Sequence, residues 1–166
     1  MLWVPAYIAV GSNLDDPLTQ VQTALAQLAQ LADCCLVLSS PLYRSVPLGQ
    51  QDQPDFINAV AGMLTTLDPF QLLRTLKALE QSMGRQQPVV RWGPRRIDLD
   101  LLVHGDTRVA GELLTLPHPG VPTRNFVLYP WCAIAADSWV PGLGSVRELA
   151  GRVSSDGIER VVMKVS

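Results

Sequence analysis

A chain of 166 residues, 48% of them hydrophobic, is long enough to bury one core, and a single domain over residues 1–166 is expected. Thirteen basic residues against fifteen acidic ones leave a formal charge of -2 at pH 7, which argues against a general polyanion binder even though arginines cluster locally. No Lys or Arg precedes Arg44, so the apolar start MLWVPAYIAVG lacks the basic region of a signal peptide, and no run reaches membrane-spanning length. A soluble, cytoplasmic protein is expected.

YIAV (7–10) is a β-rich run ending at Gly11-Ser12-Asn13, a strand and its exit loop. Asp16 can cap the next segment with Pro17 in its first turn, and Leu18, Val21, Leu25, Leu28 and Ala32 then recur at helical spacing. Cys34 and Cys35 are adjacent and Cys132 stands alone, with no CxxC and no histidine at zinc-ligand spacing, so buried, reduced thiols are expected. CLVLSS (35–40) and FINAVAGMLTT (56–66) are strand-like, joined by a loop containing SVPLGQQDQPD (45–55), whose length invites a functional reading. Asp68, Pro69 and Gln71 supply an N-cap, a first-turn proline and a capping-box partner; Leu72, Leu76, Leu79 and Met83 mark an apolar face, and Gly84 closes the helix. IDLDLLV (97–103) is the next strand. The order strand, helix, strand, strand, helix, strand predicts an α+β fold, a ferredoxin-like βαββαβ core with an antiparallel sheet.

Downstream, LPHPGVPTRNF (116–126) is a Pro-rich loop, Val127–Ala136 a short helix, VRELAG (146–151) a helical turn and IERVVMKV (158–165) a late strand. These additional C-terminal helices and strand elaborate the core into an αβα sandwich. His104 is expected in a turn past its strand. GLGS (142–145) has glycines but no preceding strand, and no full GxGxxG or GxxxxGKS occurs, which argues against the classical nucleotide-loop folds.

The chemistry concentrates in RWGPRRIDLDLLV (91–103). A period of two sends Ile97, Leu99, Leu101 and Val103 to one face and Asp98 and Asp100 to the other, with the two aspartate Cα atoms about 6.6 Å apart. Carboxylates held about 6 Å apart repel by roughly 3 kcal/mol at an effective dielectric near 20, a cost that a divalent cation reverses. Such a pair can also bridge two hard cations about 3.5 to 4 Å apart, the arrangement used in phosphate displacement. A bare DxD is equally compatible with the solvated face of an edge strand. Arg91, Arg95 and Arg96 carry planar forks that match phosphate oxygens, and Trp92 offers a ring for a heterocycle, although the arginines could also simply neutralise the aspartates. Phe56 and Asn58, two apart on one strand, face the same way, and a ring beside an amide suits a flat, hydrogen-bonding ligand.

Taken together, RWGPR with Asp98-Leu99-Asp100, AVGSNL (9–14), YRSVPLGQQDQPDFINAV (43–60), LPHP and TRNFVLYP (116–130) resemble the 6-hydroxymethyl-7,8-dihydropterin pyrophosphokinase family, in order and with matching spacing from residue 7 to about 137. The resemblance implies ATP-dependent transfer of pyrophosphate to the pterin hydroxymethyl group, releasing AMP, with two Mg2+ ions held by Asp98 and Asp100. It implies catalytic roles for Arg85 and Arg95 as well. ATP contacts are implied for Lys77, Glu80, Arg91, Trp92, Leu101, Thr115, His118 and Arg124. For the pterin it implies Phe56 and Phe126 as the two sandwiching rings, with Asn13, Ser45, Val46, Leu48, Asn58 and Trp92 around them. Arg91 and Trp92 match a loop that closes over the substrates. The partners implied are thus ATP and the pterin, with no nucleic acid and no membrane, and a monomer is expected. Lys77 departs from the family pattern, standing where glutamine is frequent; its plain alternative is an i, i+3 surface pair with Glu80. Gln87 occupies a position that is often arginine, and Pro119 one where some members carry tyrosine. A metal-dependent phosphodiesterase or a ligand-sensing module are the competing readings of the same residues.

Overall fold

The computed structural model describes residues 2–47, 52–84 and 96–163. Strand β1 (Val4–Ser12) is followed by helix α1 (Pro17–Leu28), strands β2 (Cys34–Ser39), β3 (Tyr43–Ser45) and β4 (Phe56–Thr65), helix α2 (Pro69–Ser82) and strand β5 (Asp98–His104). The capping box forms as the sequence predicts, with Gln71 N–H donating to Asp68 Oδ1 at 2.8 Å and Asp68 N–H to Gln71 Oε1 at 2.9 Å. Asp16 does not cap α1 through its side chain: it sits at φ 63° and its carboxylate accepts from the Thr19 hydroxyl at 2.8 Å instead. Helix α1 ends before Ala32.

β4 pairs with β1, β1 with β5, and the two halves of β4 receive β2 and β3 separately, every pair antiparallel. Sequence periodicity shows one strand where the chain makes two, because the break at Ser40–Pro41 lets β3 realign against Phe56–Asn58. Leaving β3 aside, the order β2-β4-β1-β5 is that of the ferredoxin-like unit.

One face of the sheet buries Ala6, Ile8, Val10, Ile57, Ala59, Leu99 and Leu101 against α1 and α2. The other packs the buried Val60 and Leu102 and the half-buried Tyr7 and Ala9 with helix α3 (Asn125–Ala135) and helix α4 (Val146–Ala150), closing an αβα sandwich. Val103 joins this second core, not the first, because the β1–β5 register slips between Tyr7 and Ile8 and reverses the alternation. His104 is likewise no turn residue: it ends β5, buried, with Nε2 2.8 Å from Leu67 O. Strands β6 (Val109–Ala110) and β7 (Thr115–Leu116) make a hairpin, as do β8 (Trp139–Val140) and β9 (Gly144–Ser145), so a strand does precede GLGS, whose Gly142 and Gly144 take the turn at positive φ. The late strand is short, β10 (Ile158–Arg160), and pairs with β3. Cys35 is exposed, contrary to expectation, while burial raises the pKa of the partly buried Cys34 thiol, 3.3 Å from Thr65 Oγ1.

Candidate active site

Three neighbouring strands place Asn58, Gly11 and Asp98 in one transverse row, because Gly11 is in register with Asn58 on β4 and with Asp98 on β5. Directly opposite residues of an antiparallel ladder project to the same face. The next row on that face is Val60, Ala9 and Asp100. Both aspartates therefore leave the sheet on the α3 side, half-buried, as the IDLDLLV alternation predicts. A Cβ on Gly11 would lie 3.3 Å from Asn58 Oδ1 and 3.9 Å from Phe56 Cδ1. The glycine thus leaves an open floor, with an amide and an aromatic edge on one side and an acid on the other.

The amide is fixed. Asn58 Nδ2 donates to Ser45 Oγ at 2.7 Å, and both residues are buried. Asn13, buried at the end of β1, donates to Gln53 Oε1 at 2.8 Å and to Pro54 O at 3.0 Å, tying the β3–β4 connection back to the strand end. Gln53 escapes a sequence reading, since one glutamine among three in QQDQ carries no distinguishing signal. Val46 is largely exposed and spends its N–H on Gly157 O at 3.0 Å.

Behind the acid pair, Glu80 of α2 accepts the Leu99 N–H at Oε2, 2.7 Å away, at a site where the glutamate is only 4% exposed. Glu80 consequently turns inward and holds the backbone between Asp98 and Asp100, while Lys77 remains on the surface. The Leu101 side chain faces the α1/α2 core. Ahead of β5, the Arg96 guanidinium meets Asp15 Oδ2 at 2.7 Å, joining the β1–α1 turn to the start of the acidic strand.

On the far side of β5, His118 N–H donates to Leu102 O at 2.9 Å and so anchors the turn that follows β7. Its Nδ1 accepts from Gly120 N–H at 3.0 Å. Burial first, and the positive charge of Arg124 second, push the His118 pKa down to about 4. Arg124 stands at the N-cap of α3, with its guanidinium carbon 5.9 Å from the Phe126 ring centroid. Asn125 Nδ2 donates to Ser154 O and Asp156 O, each at 2.9 Å, so the segment before β10 secures the start of α3. Thr115 lies on β7, its hydroxyl 3.1 Å from Gly111 O. Of the residues implicated by sequence, Leu48, Arg85, Arg91, Trp92 and Arg95, together with Gln87, lie outside the described residues.

The donor set fits magnesium. Among the described residues no three His, Cys, Asp or Glu side chains converge, and Asp98 and Asp100 share one face of β5 as a pair. Mg2+ is characteristically held in that way, by one or two carboxylates completed by substrate phosphates and water.

These features define a class: a ferredoxin-like α+β domain with an acidic pair and an aromatic–amide pair sharing one end of its sheet. The family model for 7,8-dihydro-6-hydroxymethylpterin-pyrophosphokinase (HPPK) matches residues 7–136. A 2-amino-4-hydroxy-6-hydroxymethyldihydropteridine pyrophosphokinase of Haemophilus influenzae is 44% identical over 88% of this chain and 91% of its own length. One of Pseudomonas aeruginosa is 43% identical over 93% and 95%. Among solved structures, an HPPK-DHPS in complex with substrates superposes at TM-score 0.75 with 13% identity, covering 96% of this chain and 48% of that one. The Plasmodium falciparum HPPK-DHPS A437G with pteroate gives 0.72 at 14%, covering 91% and 41%; this chain thus spans under half of those longer proteins, and the likeness to them is one of fold. The chain belongs to the 7,8-dihydro-6-hydroxymethylpterin-pyrophosphokinase family.

Proposed function

We propose that this chain transfers pyrophosphate from ATP to the hydroxymethyl oxygen of 6-hydroxymethyl-7,8-dihydropterin, releasing AMP, as a step of folate biosynthesis. The observation that carries the reading is the Asn58–Gly11–Asp98 row, which sets a hydrogen-bonding floor for a flat heterocycle beside a carboxylate pair suited to metal-bound phosphates. Phe56 and Phe126 take the two faces of the pterin, and Asn58 reads its polar edge, held in orientation by Ser45. Asn13, Val46, Leu48 and Trp92 complete that half of the site.

The protein has little covalent work to do in such a reaction; alignment of the hydroxyl with the phosphorus and compensation of developing charge account for catalysis. Asp98 and Asp100 would hold two Mg2+ ions, which would neutralise the triphosphate and polarise its phosphoryl oxygens. Arg85, Arg95 and Arg124 supply further cationic donors, and His118 donates from Nε2, since its Nδ1 is occupied by Gly120. Arg91 and Trp92 cover both substrates, Thr115 and the Leu101 backbone border the nucleotide, and Lys77 lies at its margin. Glu80 serves the nucleotide half through the Leu99 backbone. No protein nucleophile takes part. Residues 1–166 act as one domain, in the cytoplasm and as a monomer; among the described residues no helix is long and apolar enough to cross a membrane.

Incubation with ATP, Mg2+ and the hydroxymethyl pterin should release AMP only when the pterin is present. Phosphodiester cleavage without ATP, or pterin binding without any AMP, would overturn the assignment.

A further inference from the structure

We propose that Gly120 is a positioning residue for the phosphate-directed side of the site, setting His118 and Arg124 as one unit. This inference rests on the pyrophosphokinase reading for what the pair binds, but its geometry stands on two independent observations. First, the Gly120 N–H donates to His118 Nδ1 at 3.0 Å. A ring nitrogen that accepts a hydrogen bond carries no proton, so the imidazole proton sits on Nε2, and that nitrogen is the donor left for a ligand oxygen. Second, a Cβ built on Gly120 collides with the Nε, Cζ and Cδ atoms of Arg124. The arginine therefore lies across the α-carbon of this glycine, in space that no other residue leaves open.

Both effects converge on one turn. Gly120 follows His118 by two residues and precedes Arg124 by four, and the turn closes on itself through Val121 N–H to His118 O at 3.1 Å and Thr123 N–H to Gly120 O at 3.3 Å. The His118 N–H to Leu102 O bond at 2.9 Å fixes the whole turn to β5, the strand that bears the aspartates. The Arg124 guanidinium also reaches the Phe126 ring at 5.9 Å, so displacing it at Gly120 disturbs a group lying between the nucleotide and pterin halves. A neutral imidazole donor beside a fixed guanidinium suits a polyphosphate oxygen: it adds a hydrogen bond without placing a second cation against Arg124.

The test is Gly120→Ala, read in three ways. Nitrogen-15 NMR of the histidines in the ligand-free protein should show His118 with an unprotonated Nδ1 and a protonated Nε2 in the parent chain. Calorimetry with a non-hydrolysable ATP analogue and Mg2+ should show affinity falling at least roughly tenfold in Gly120→Ala, with the thermal midpoint essentially kept, because the Arg124 side chain can swing aside. In an Arg124→Ala background the same glycine change should cost less than about twofold, since nothing then occupies the space. A protonated Nδ1 in the parent chain, unchanged analogue affinity in Gly120→Ala, or an undiminished loss in the Arg124→Ala background overturns the proposal. If Gly120→Ala does not fold, the parent tautomer decides alone. The tautomer measurement needs no turnover, so absence of pterin-dependent AMP from the parent chain would count against the pyrophosphokinase reading and leave this test standing.

Discussion

Gly11 stands directly opposite Asp98 across the β1–β5 ladder, and on its other side it faces Asn58. Any side chain at position 11 would rise between the amide and the acid, starting from a Cβ only 3.3 Å from Asn58 Oδ1. Valine is the informative replacement, because it favours strand geometry while filling the floor. Gly11→Val should keep or raise the thermal midpoint and lower pterin affinity by at least about tenfold, a separation of stability from function expected at a site where the backbone must stay bare. Calorimetric titration with the pterin checks it; affinity within about twofold of the parent chain would show that the ligand lies elsewhere.

Asp98 and Asp100 leave the sheet on the side opposite Ile97, Leu99 and Leu101, which anchor β5 in the α1/α2 core. Replacing either acid by alanine removes a metal-directed oxygen without touching that anchor. AMP formation at ordinary Mg2+ should fall by on the order of a thousandfold for either variant, with circular dichroism unchanged. Near-normal turnover at ordinary Mg2+ would remove the carboxylate pair from the mechanism.

Glu80 bears on the same strand from behind. Its Oε2 accepts the Leu99 N–H at 2.7 Å in a buried setting, so Glu80→Ala strands a backbone donor and should cost about 1 to 3 kcal/mol in urea unfolding. Glu80→Gln keeps an acceptor oxygen and should recover most of that stability. Equal destabilisation by the two variants would mean that the charge, and not the hydrogen bond to Leu99, is what the fold needs.

The contrast between Asp68 and Glu80 explains how much of this molecule its sequence discloses. The Asp68–Gln71 capping box is local, closing within four residues, and so are the alternation that separates Asp98 and Asp100 from Leu99 and the spacing of the α2 leucines. Composition and period suffice for such features. Glu80 to Leu99, Asn13 to Gln53, Asn125 to Ser154 and His104 to Leu67 join residues 19 to 40 positions apart, and the residue types involved are ordinary surface or turn residues until the tertiary fold buries them. The register slip that moves Val103 to the second core is of the same kind, since nothing in LDLLVH marks where the bulge falls. Gly120 was legible only as part of a proline-rich loop; its hydrogen bond to His118 is local, but the side chain it must accommodate is not.

His118 gives the last prediction, in pH. Its folded pKa, about 4, lies below the ordinary histidine value of 6.5, with burial as the larger cause and Arg124 as the smaller. Between those two values the unfolded chain binds a proton that the folded chain refuses, so stability rises with pH across that window. The contribution is fully present above pH 6.5 and is lost progressively as the pH falls toward 4; the shift corresponds to an upper bound of roughly 3 kcal/mol. His118→Gln carries no such group and should flatten the decline of urea-unfolding free energy between those pH values, while weakening ATP-analogue binding at pH 7, where the parent imidazole is neutral and donates from Nε2. The same neutrality makes the parent chain's analogue affinity insensitive to His118 titration from pH 5.5 to 7.5. Proton NMR of the His118 ring, followed through that range, should show no titration step, and a midpoint near 6.5 would mean that the ring is neither as enclosed nor as close to Arg124 as its hydrogen bond to Gly120 requires.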